Sequence, residues 1–339
     1  MNSTSTNRLK TVDADTLMTT PLPAIRYVVD QLLPQGLHIL AGAPKVGKSW
    51  LALWLCLCVS KGEPVWGFST TPSPVLYLCL EDSYARIQSR LFQLTEDAPP
   101  SLHFANLSDS IGNGLEEQIC EFLSAHTDTK LVVIDTLQKV RRSVPDANPY
   151  ANDYRDLSVL KHLADQNHIA ILLIHHLRKM NDDDPLNMIS GTTGISGATD
   201  SSFVLKPNKR GSDRATLYCT GRDIEYRELP LEFQKATHTW ELTEEVALDT
   251  PHQDPQVFFL SEFLRGLGSF DGTATKLSEL LEQRTGDQML PSALSKKLVR
   301  FTGELDKSGI RVTSSRTRDS RLLHIACDGS DGNDGKSGC

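Results

Sequence analysis

The chain has 339 residues, of which 39% are hydrophobic and 23% are charged, and its formal net charge is −8. This composition is that of a folded globular protein and excludes a wholly disordered chain, and the length suffices for one large domain and one small domain. The negative balance excludes a uniformly basic nucleic-acid-binding coat, but it leaves room for a local basic patch.

The first twenty residues are polar and show no periodicity. They predict a flexible lead or a docking tail, and because they contain no apolar stretch they do not resemble a secretory signal.

The seven cysteines include Cys56, Cys58 and Cys79 within apolar runs and form no CxxC pair, so we interpret these three as reduced core residues. We therefore expect a cytoplasmic protein. The longest apolar run, residues 50 to 59, is too short to span a bilayer and predicts a buried helix.

Short apolar runs alternate with helical patterns from Gly36 to about Trp240. Strands that are apolar on both faces and are separated by helices predict an α/β domain, with a mostly parallel sheet flanked by helices. We assign this domain to residues 21–242, after the flexible residues 1–20. The runs are LHILAG, VLYLCL, LVVID, AILLIHH, SSFVLK and ATLYCT.

The segment GAPKVGKS matches G-x-x-x-x-G-K-[ST] and lies between a predicted strand and a predicted helix. This pattern predicts a loop whose backbone N–H groups face the phosphates of a nucleoside triphosphate. Lys48 is expected to reach the β- and γ-phosphate oxygens, and Ser49 to bind Mg²⁺. The predicted cofactors are therefore ATP and Mg²⁺, and the predicted binding residues are Gly42, Ala43, Pro44, Lys45, Val46, Gly47, Lys48 and Ser49.

Two acidic residues at strand ends are candidates for the remaining chemistry. Asp135 ends LVVID and fits a residue that holds Mg²⁺ through water, but the next residue, Thr136, cannot serve as the base. Glu81 follows the strand VLYLCL, and in a parallel sheet the carboxyl ends of strands share one edge. We therefore expect Glu81 to be the base. Asp82 is the alternative, although aspartate at this position also suits a helix N-cap.

His175 and His176 end the strand AILLIHH at the same expected edge. A histidine at a strand end usually has a structural role. Zinc binding is disfavoured, because no cysteine or second histidine lies at a zinc-like spacing.

The C-terminal part reads as a second, smaller domain. Residues 243–257 contain two prolines and predict a linker. Residues 258–326 predict helices over 258–268, 276–284 and 291–309 followed by a β-hairpin, which favours a winged helix-turn-helix-like domain. The Gly/Asp-rich residues 327–339 predict a disordered tail.

Part of this second domain is positively charged, whereas the chain as a whole is negatively charged. Residues 291–325 contain eight Lys or Arg residues and three Asp or Glu residues. The pattern predicts contacts with a DNA backbone, and the alternative is a solvated surface used for protein contact. The candidate DNA-binding residues are Lys296, Lys297, Arg300, Arg316 and Arg318.

Together, GAPKVGKS, LYLCLED, VVIDT and LLIHHLRK resemble RecA-like ATPases, and among them the RepA-type hexameric replicative helicases of plasmids and mobile elements. The resemblance covers roughly residues 25 to 235. It implies that the catalytic glutamate follows the second strand, which matches Glu81 and explains Thr136. It also implies a γ-phosphate sensor at the position of His176, with His175 as the alternative.

Two further features follow from the same resemblance. Residues 189–205 resemble a Gly/Ser-rich loop and strand that contact single-stranded DNA in the channel of a ring, or they form a simple connection. Arg222 lies in a segment that resembles the strand from which a basic residue, an arginine finger, reaches the nucleotide of a neighbouring subunit. The alternative is that Arg222 forms a surface ion pair. Hexamers are common among such proteins, whereas RepA-type proteins lack an added domain like residues 258–326.

Three functions compete at this point. The first is an ATP-driven motor on single-stranded DNA, a replicative helicase of a plasmid, phage or integrated element. The second is an ATP-gated DNA-binding initiator or regulator that does not unwind DNA. The third, a small-molecule kinase, leaves Glu81, Arg222 and the basic domain without roles.

Overall fold

A computed structural model describes residues 9, 11–141, 149–177, 185–189, 193–209, 211–243, 254–316 and 320–328. The chain divides into two compact units. The larger unit comprises residues 26–248, and the smaller unit comprises residues 1–25 together with residues 249–339. Each unit has its own hydrophobic core.

The strands and helices carry one numbering along the chain. The strands are β1 (Tyr27–Val29), β2 (Leu33–Pro34), β3 (Gly36–Gly42), β4 (Val75–Cys79), β5 (Leu102–Ala105), β6 (Leu131–Asp135), β7 (Ala170–His176), β8 (Ser201–Pro207), β9 (Arg214–Gly221), β10 (Arg227–Gln234), β11 (Thr239–Leu242), β12 (Ser269–Thr273), β13 (Ile310–Arg316) and β14 (Arg321–Cys327). The helices are α1 (Ala14–Thr19), α2 (Lys48–Lys61), α3 (Tyr84–Leu94), α4 (Leu115–Ala125), α5 (Leu137–Val140), α6 (Pro149–Asn167), α7 (Thr193–Ala198), α8 (Pro255–Leu267), α9 (Ala274–Thr285), α10 (Pro291–Arg300) and α11 (Thr302–Lys307), with a 3₁₀ turn at Pro185–Met188.

The larger unit is built on a nine-stranded sheet in the order β11-β10-β9-β8-β3-β7-β6-β4-β5. The six strands from β8 to β5 in that order are parallel, and β9, β10 and β11 extend the sheet in antiparallel fashion. The predicted α/β class with a mostly parallel sheet is confirmed. Because β3, β7, β6 and β4 run in the same direction, their carboxyl ends lie at one edge of the sheet.

Both faces of this sheet are covered, which explains why its strands are apolar without alternation. Successive residues of a strand point to opposite faces. Val133 accordingly belongs to one core cluster, together with Leu53 of α2, and its neighbour Val132 belongs to the other, together with Leu160 of α6. Every residue of β3 is buried.

Helix α2 contains the apolar run that predicted a buried helix. Two glycines set its limits, because both adopt positive φ angles that side chains disfavour. Gly47 precedes it with φ 96°, and Gly62 ends it with φ 75°. Ten of its residues are buried, including Lys48 at its first position. None of the described helices is both long enough and apolar enough to cross a membrane.

The smaller unit packs α8, α9, α10 and α11 against a three-stranded antiparallel sheet in the order β12-β14-β13. Leu264, Leu277, Leu298 and Ile325 lie in its core. The structure differs from the prediction in two ways. The predicted helix over residues 291–309 is broken at Phe301 into α10 and α11, and the short strand β12 was not predicted.

The N-terminal segment, for which the prediction was a flexible lead or a docking tail, contains the helix α1. Asp13 caps this helix by accepting a hydrogen bond from the backbone N–H of Thr16. The segment belongs to the smaller unit, where α1 contacts α10. The predicted linker lies largely outside the described residues, as does the predicted tail beyond Asp328.

Candidate functional site

The predicted phosphate loop joins the carboxyl end of β3 to the first turn of α2. Gly47 and Lys45 have φ angles of 96° and 64°, so the backbone turns sharply before the helix begins. Trp240 of β11 lies against this turn, and its Nε1 donates a hydrogen bond to the carbonyl oxygen of Gly47 at 3.4 Å. A Cβ atom on Gly47 would lie 3.0 Å from the same nitrogen, so the loop accepts only glycine there without rearrangement.

Lys48 is 6% exposed and points into the loop. Its Nζ donates hydrogen bonds to the carbonyl oxygens of Gly42 at 2.8 Å and Ala43 at 3.0 Å. Burial lowers the pKa of Lys48 to about 8, and the carboxylates of Asp135 and Glu81 oppose this shift. The loop therefore holds a partly desolvated ammonium group, which is suited to binding a phosphate.

Asp135 ends β6 at the same edge and is 5% exposed. Tyr77 of β4 donates a hydrogen bond to its Oδ2 at 2.8 Å. Burial raises the pKa of Asp135, whereas hydrogen bonds from Ser49 and Tyr77 favour the carboxylate and oppose that shift. The two predicted Mg²⁺ ligands, Ser49 and Asp135, are thus in contact. Tyr77 is the partner that sequence reasoning missed.

Glu81 and Asp82 have different surroundings, although they are neighbours. The hydroxyl of Thr136 donates a hydrogen bond to Oε1 of Glu81 at 3.1 Å, and Glu81 is otherwise exposed. Asp82 instead forms ion pairs with Arg86 at 2.6 Å and Arg90 at 2.5 Å. Arg86 and Arg90 thus pair with the carboxylate of Asp82, and Glu81 is the carboxylate that lies next to Asp135.

The interpretation of Asp82 as a helix cap was wrong. The N-cap of α3 is Ser83, whose hydroxyl accepts a hydrogen bond from the backbone N–H of Arg86. Serine is as good a cap as aspartate, and the helix begins one residue later than the prediction assumed.

His176 lies directly beside the phosphate loop. Strands β3 and β7 are paired so that Gly42 is opposite His176 and Ala41 is opposite His175. His175 is 3% exposed, whereas His176 is partly exposed. In the part of the chain that the structure describes, the buried Nδ1 atom of His176 has no hydrogen-bond partner. Its partial exposure and its position opposite Gly42 place His176, rather than the buried His175, at this edge of the sheet.

An aromatic cleft adjoins the outer side of the phosphate loop, and no sequence pattern indicated it. Its volume is about 540 Å³. Its walls include Trp50, the residue after Ser49, and Phe233 and Trp240 of the antiparallel extension. The guanidinium of Arg90 stacks on the Trp50 ring at 5.4 Å. These residues come from distant parts of the sequence, so no local motif signals the cleft.

Arg222 lies at the opposite edge of the sheet. It follows β9, whose last residue, Gly221, pairs with Ser201 at the start of β8. Its guanidinium is 63% exposed and lies 3.5 Å from the buried carboxylate of Asp200. The structure therefore does not bring Arg222 together with Glu81 within one subunit. Its assignment as a finger that acts in a neighbouring subunit stays a prediction.

The segment 189–205, predicted to contact single-stranded DNA, is described only in part. Residues 190–192 lie outside the described residues, and the remainder forms α7 and the first residues of β8.

The candidate DNA-binding residues lie in the smaller unit. Lys296, Lys297 and Arg300 are on α10, and Arg316 ends β13. Arg300 is exposed and stacks on the ring of Phe301 at 5.3 Å. The fifth predicted residue, Arg318, lies outside the described residues.

The residues of the larger unit fit a magnesium nucleotide. The fit rests on the glycine-restricted turn at Gly47, the desolvated Lys48, the contact between Ser49 and Asp135, and the position of His176 opposite Gly42. No group of three or more His, Cys, Asp or Glu side chains suited to a metal ion occurs among the described residues. The hydroxyl of Ser49 and the carboxylate of Asp135 are oxygen donors of the kind that Mg²⁺ prefers, and a phosphate-bound Mg²⁺ takes few protein ligands.

Comparison with solved structures supports this fold. One structure, described as an ATPase domain, is similar with a TM-score of 0.52 and 14% sequence identity, over 62% of this chain and 85% of that one. A DnaB-like replicative helicase, from a study of its interactions with primase, is similar with a TM-score of 0.51 and 13% identity, over 64% of this chain. This chain spans 60% of that helicase. At these identities the similarity shows the fold, which is RecA-like.

No match was found among curated proteins. The family model described as AAA domain matches residues 3–182, which is more than half of the chain. The matched residues include the phosphate loop, Glu81, Asp135 and His176. The protein therefore belongs to the AAA domain family.

Proposed function

We propose that the protein is an ATP-hydrolysing RecA-like motor that acts on single-stranded DNA, as a RepA-type replicative helicase of a plasmid, phage or other mobile element. The observation that carries the proposal is the shared edge of the sheet. There the phosphate loop, Asp135, Glu81 and His176 lie at the carboxyl ends of β3, β6, β4 and β7.

Each of these residues has a distinct role in hydrolysis. The backbone N–H groups of the phosphate loop, apart from Pro44, which has none, and the Lys48 ammonium bind the phosphates. Ser49 would bind Mg²⁺ directly and Asp135 would hold it through water, and the bound ion would neutralise phosphate charge. Glu81 accepts a proton from the attacking water, and Thr136 orients its carboxylate. His176 donates a hydrogen bond to the terminal phosphate and so stabilises the charge that develops there.

The aromatic cleft next to the phosphate loop is proposed to bind the nucleobase. A nucleobase is a flat ring system, and aromatic walls offer stacking surface with little loss of side-chain entropy. Trp50 and Phe233, which are both partly exposed, provide such walls beside the loop, and the buried Trp240 packs against Phe233. The cleft therefore contributes affinity for the nucleotide that is independent of the phosphates.

Arg222 is proposed to act between subunits of a ring, for which a hexamer is favoured. Because it lies at the edge opposite its own phosphate loop, it is available only to another subunit's nucleotide. Its guanidinium is exposed, and the buried carboxylate of Asp200 is also paired with Lys161 at 3.0 Å, so Asp200 keeps a partner when Arg222 leaves it.

Single-stranded DNA is the proposed substrate of the larger unit, through residues 189–205. Support comes from the RecA-like fold shared with two proteins, one described as an ATPase domain and the other as a replicative helicase. The proposed ATPase domain comprises residues 21–242, and a cytoplasmic location follows from this role.

The smaller unit is proposed to be a winged-helix-like DNA-binding domain. Its elements follow the order helix, strand, three helices and hairpin, and its charge is basic on α10 and β13. The proposed contacts with DNA phosphates are Lys296, Lys297, Arg300, Arg316 and Arg318, within a domain of residues 258–326 joined by the linker 243–257. The same basic surface favours the second candidate function, an ATP-gated initiator or regulator that binds duplex DNA without unwinding it.

The experiment that separates these functions is steady-state ATP hydrolysis with no DNA, with single-stranded DNA and with duplex DNA. Lys48→Ala serves as the blank, because it removes the ammonium that binds the phosphates. Strong stimulation by single strands alone supports the motor. Indifference to single strands, combined with nucleotide-dependent duplex binding, contradicts the motor and supports the regulator.

A further inference from the structure

The helix α1 occupies part of the basic surface of the smaller unit. Asp15 forms an ion pair with Lys296 of α10 at 3.1 Å. At the other end of the helix, Arg321 of β14 donates hydrogen bonds to the hydroxyls of Thr19 and Thr20, the latter at 3.2 Å. The N-terminal segment thus contacts the helix and the hairpin that carry the candidate DNA-binding residues.

A cavity of about 360 Å³ lies between α1 and this surface. Guanidinium groups and hydroxyls line the side contributed by α10 and the hairpin, whereas α1 contributes hydroxyls and the Asp15 carboxylate. Guanidinium and hydroxyl groups are the donors that proteins use for phosphate oxygens. The polar lining side chains from α10 and the hairpin are Ser292, Ser295, Arg316, Ser320 and Arg321, and these elements also contribute the apolar Pro291 and Leu323.

The contact made by α1 is polar and exposed, not apolar and buried. No residue of the helix is buried, and the side chains of Leu17 and Met18 are more than half exposed. The side chains of the Asp15–Lys296 pair are 78% and 39% exposed. Contacts of this kind contribute little binding free energy in water, so a stronger anionic ligand can displace the helix.

We propose that α1 is an intrachain competitor that covers the phosphate-binding surface formed by α10 and the β13–β14 hairpin, and that the phosphate backbone of duplex DNA displaces it. The carboxylate of Asp15 and the hydroxyls of Thr19 and Thr20 occupy the donors that phosphate oxygens use in the DNA complex. The inference depends on the DNA binding proposed above for the smaller unit, but it does not depend on ATP hydrolysis.

The test compares duplex DNA binding by the full chain and by variants that release α1. Thr19→Val combined with Thr20→Val removes both hydrogen bonds from Arg321 and changes neither the charge nor the basic surface. Substitution of Arg321 itself is unsuitable, because it would remove a phosphate contact as well. Fluorescence anisotropy with a labelled duplex, without nucleotide, is expected to show at least a fivefold tighter Kd for the double variant.

A second variant tests the ion pair. Asp15→Lys places a positive charge opposite Lys296 and is also expected to tighten binding. Because any added lysine favours DNA binding, the matched control is Glu279→Lys, an exposed residue of α9 that makes the same change of charge in the same unit. The proposal requires Asp15→Lys to exceed Glu279→Lys by at least threefold.

Hydrogen exchange reports α1 directly. Peptides that cover residues 13–20 are expected to exchange faster in the double variant and in the wild-type chain saturated with duplex, while α8–β14 stay protected. If α1 exchanges faster in the double variant but the Kd for duplex DNA is unchanged, α1 does not mask the phosphate-binding surface and the proposal is overturned. Slow exchange of α1 in the DNA complex would overturn displacement.

Failure of duplex binding in every form would also overturn the inference, because the covered surface would then have no competing ligand. That result would leave the proposed motor function intact if single-stranded DNA still stimulated ATP hydrolysis. The two failures are therefore distinguishable.

Discussion

Thr136 and Glu81 are joined by a hydrogen bond, with the threonine hydroxyl as the donor and Oε1 as the acceptor at 3.1 Å. The bond connects the residue after β6 to the segment after β4, so the carboxylate is held beside Asp135. Thr136 is 2% exposed and is therefore a fixed donor. This hydrogen bond supports the proposal that Glu81, rather than Asp82, is the base.

We predict that Glu81→Gln binds ATP normally but hydrolyses it at least about 100-fold more slowly, the usual contribution of a general base. The matched control is Asp82→Asn, which loses its ion pairs with Arg86 and Arg90 but keeps Glu81 in place. Its turnover is expected to fall only a few-fold. Nucleotide binding and single-turnover hydrolysis measured on both variants check this, and the reverse pattern would assign the base to Asp82.

The pKa of Lys48 predicts a pH-dependent affinity for nucleotide. Phosphates bind the ammonium form, and burial lowers the pKa of Lys48 to about 8 in the free protein. Above pH 8, binding must therefore take up a proton, so affinity falls as the pH rises, by up to about tenfold per unit. Calorimetric titration with a non-hydrolysable ATP analogue at pH 9, in buffers of different ionisation enthalpy, measures this uptake.

The control for this experiment is Lys48→Arg, because a guanidinium keeps its charge at these pH values. If the variant binds the analogue with the same proton uptake as the wild type, Lys48 is not the group that titrates.

Tyr77→Phe removes a hydrogen bond to Asp135 without changing the shape of the core. Because that bond favours the carboxylate, the pKa of Asp135 is expected to rise further in the variant. The acid limb of the pH–rate profile for hydrolysis should then move to higher pH, and the lost activity should return as the pH is raised. Tyr84→Phe, an exposed change on α3, should leave the profile unchanged. A uniform loss of rate at all pH values would contradict this role of Tyr77.

Gly47→Ala is expected to weaken nucleotide binding by about 5- to 100-fold, the cost of a positive φ at a residue with a side chain. The added Cβ would also press on Trp240. Gly266→Ala in α8 is the matched control, because the nearest atom to its added Cβ is 3.6 Å away, and alanine favours a helix. Titration with a fluorescent ATP analogue, together with thermal unfolding of both variants, separates loss of the loop from loss of the fold.

Arg222→Ala is expected to abolish hydrolysis with little change in the thermal unfolding temperature, because Lys161 still pairs with the buried Asp200 at 3.0 Å. When this variant is mixed with Glu81→Gln, sites that combine an intact Glu81 with an intact Arg222 from the neighbour should regain activity. ATP hydrolysis measured across mixing ratios tests this. An absence of rescue at every ratio, with both variants assembled, would contradict action between subunits.

The parts of the site that were predicted from sequence depend on local patterns. The phosphate loop occupies eight consecutive residues, and its glycines are required by the local backbone. Asp135, Glu81 and His176 each follow an apolar strand, and a parallel sheet brings such positions to one edge whatever the order of its strands. A single sequence therefore sufficed to predict that these residues lie at the same edge.

The residues that were missed depend on contacts across long stretches of sequence. Tyr77 and Asp135 are 58 residues apart, and Trp240 lies 193 residues from Gly47. Nothing in either local segment specifies these pairings, because they arise from the order of the strands in the sheet. The aromatic cleft was missed for the same reason.

In the smaller unit too, features set by local patterns were predicted, and features set by contacts between distant segments were missed. Its amphipathic helices and its hairpin were predicted from their periodicity, whereas α1 spans six residues without an apolar face. So short a helix is not stable in isolation, and in this protein α10 and β14 hold it. Phe301 ends α10 because its side chain packs into the core, which no propensity scale indicates.

The assignment of residues 1–25 and 249–339 to the same unit means that the backbone passes between the two units twice. The larger unit is therefore an insertion within the smaller one, held by two covalent tethers. A protease that cuts only the stretch around residues 244–253 would leave the units attached through the stretch near residue 25. Likewise, a chain truncated after residue 248 would keep the first 25 residues but lose the remainder of the unit against which they fold.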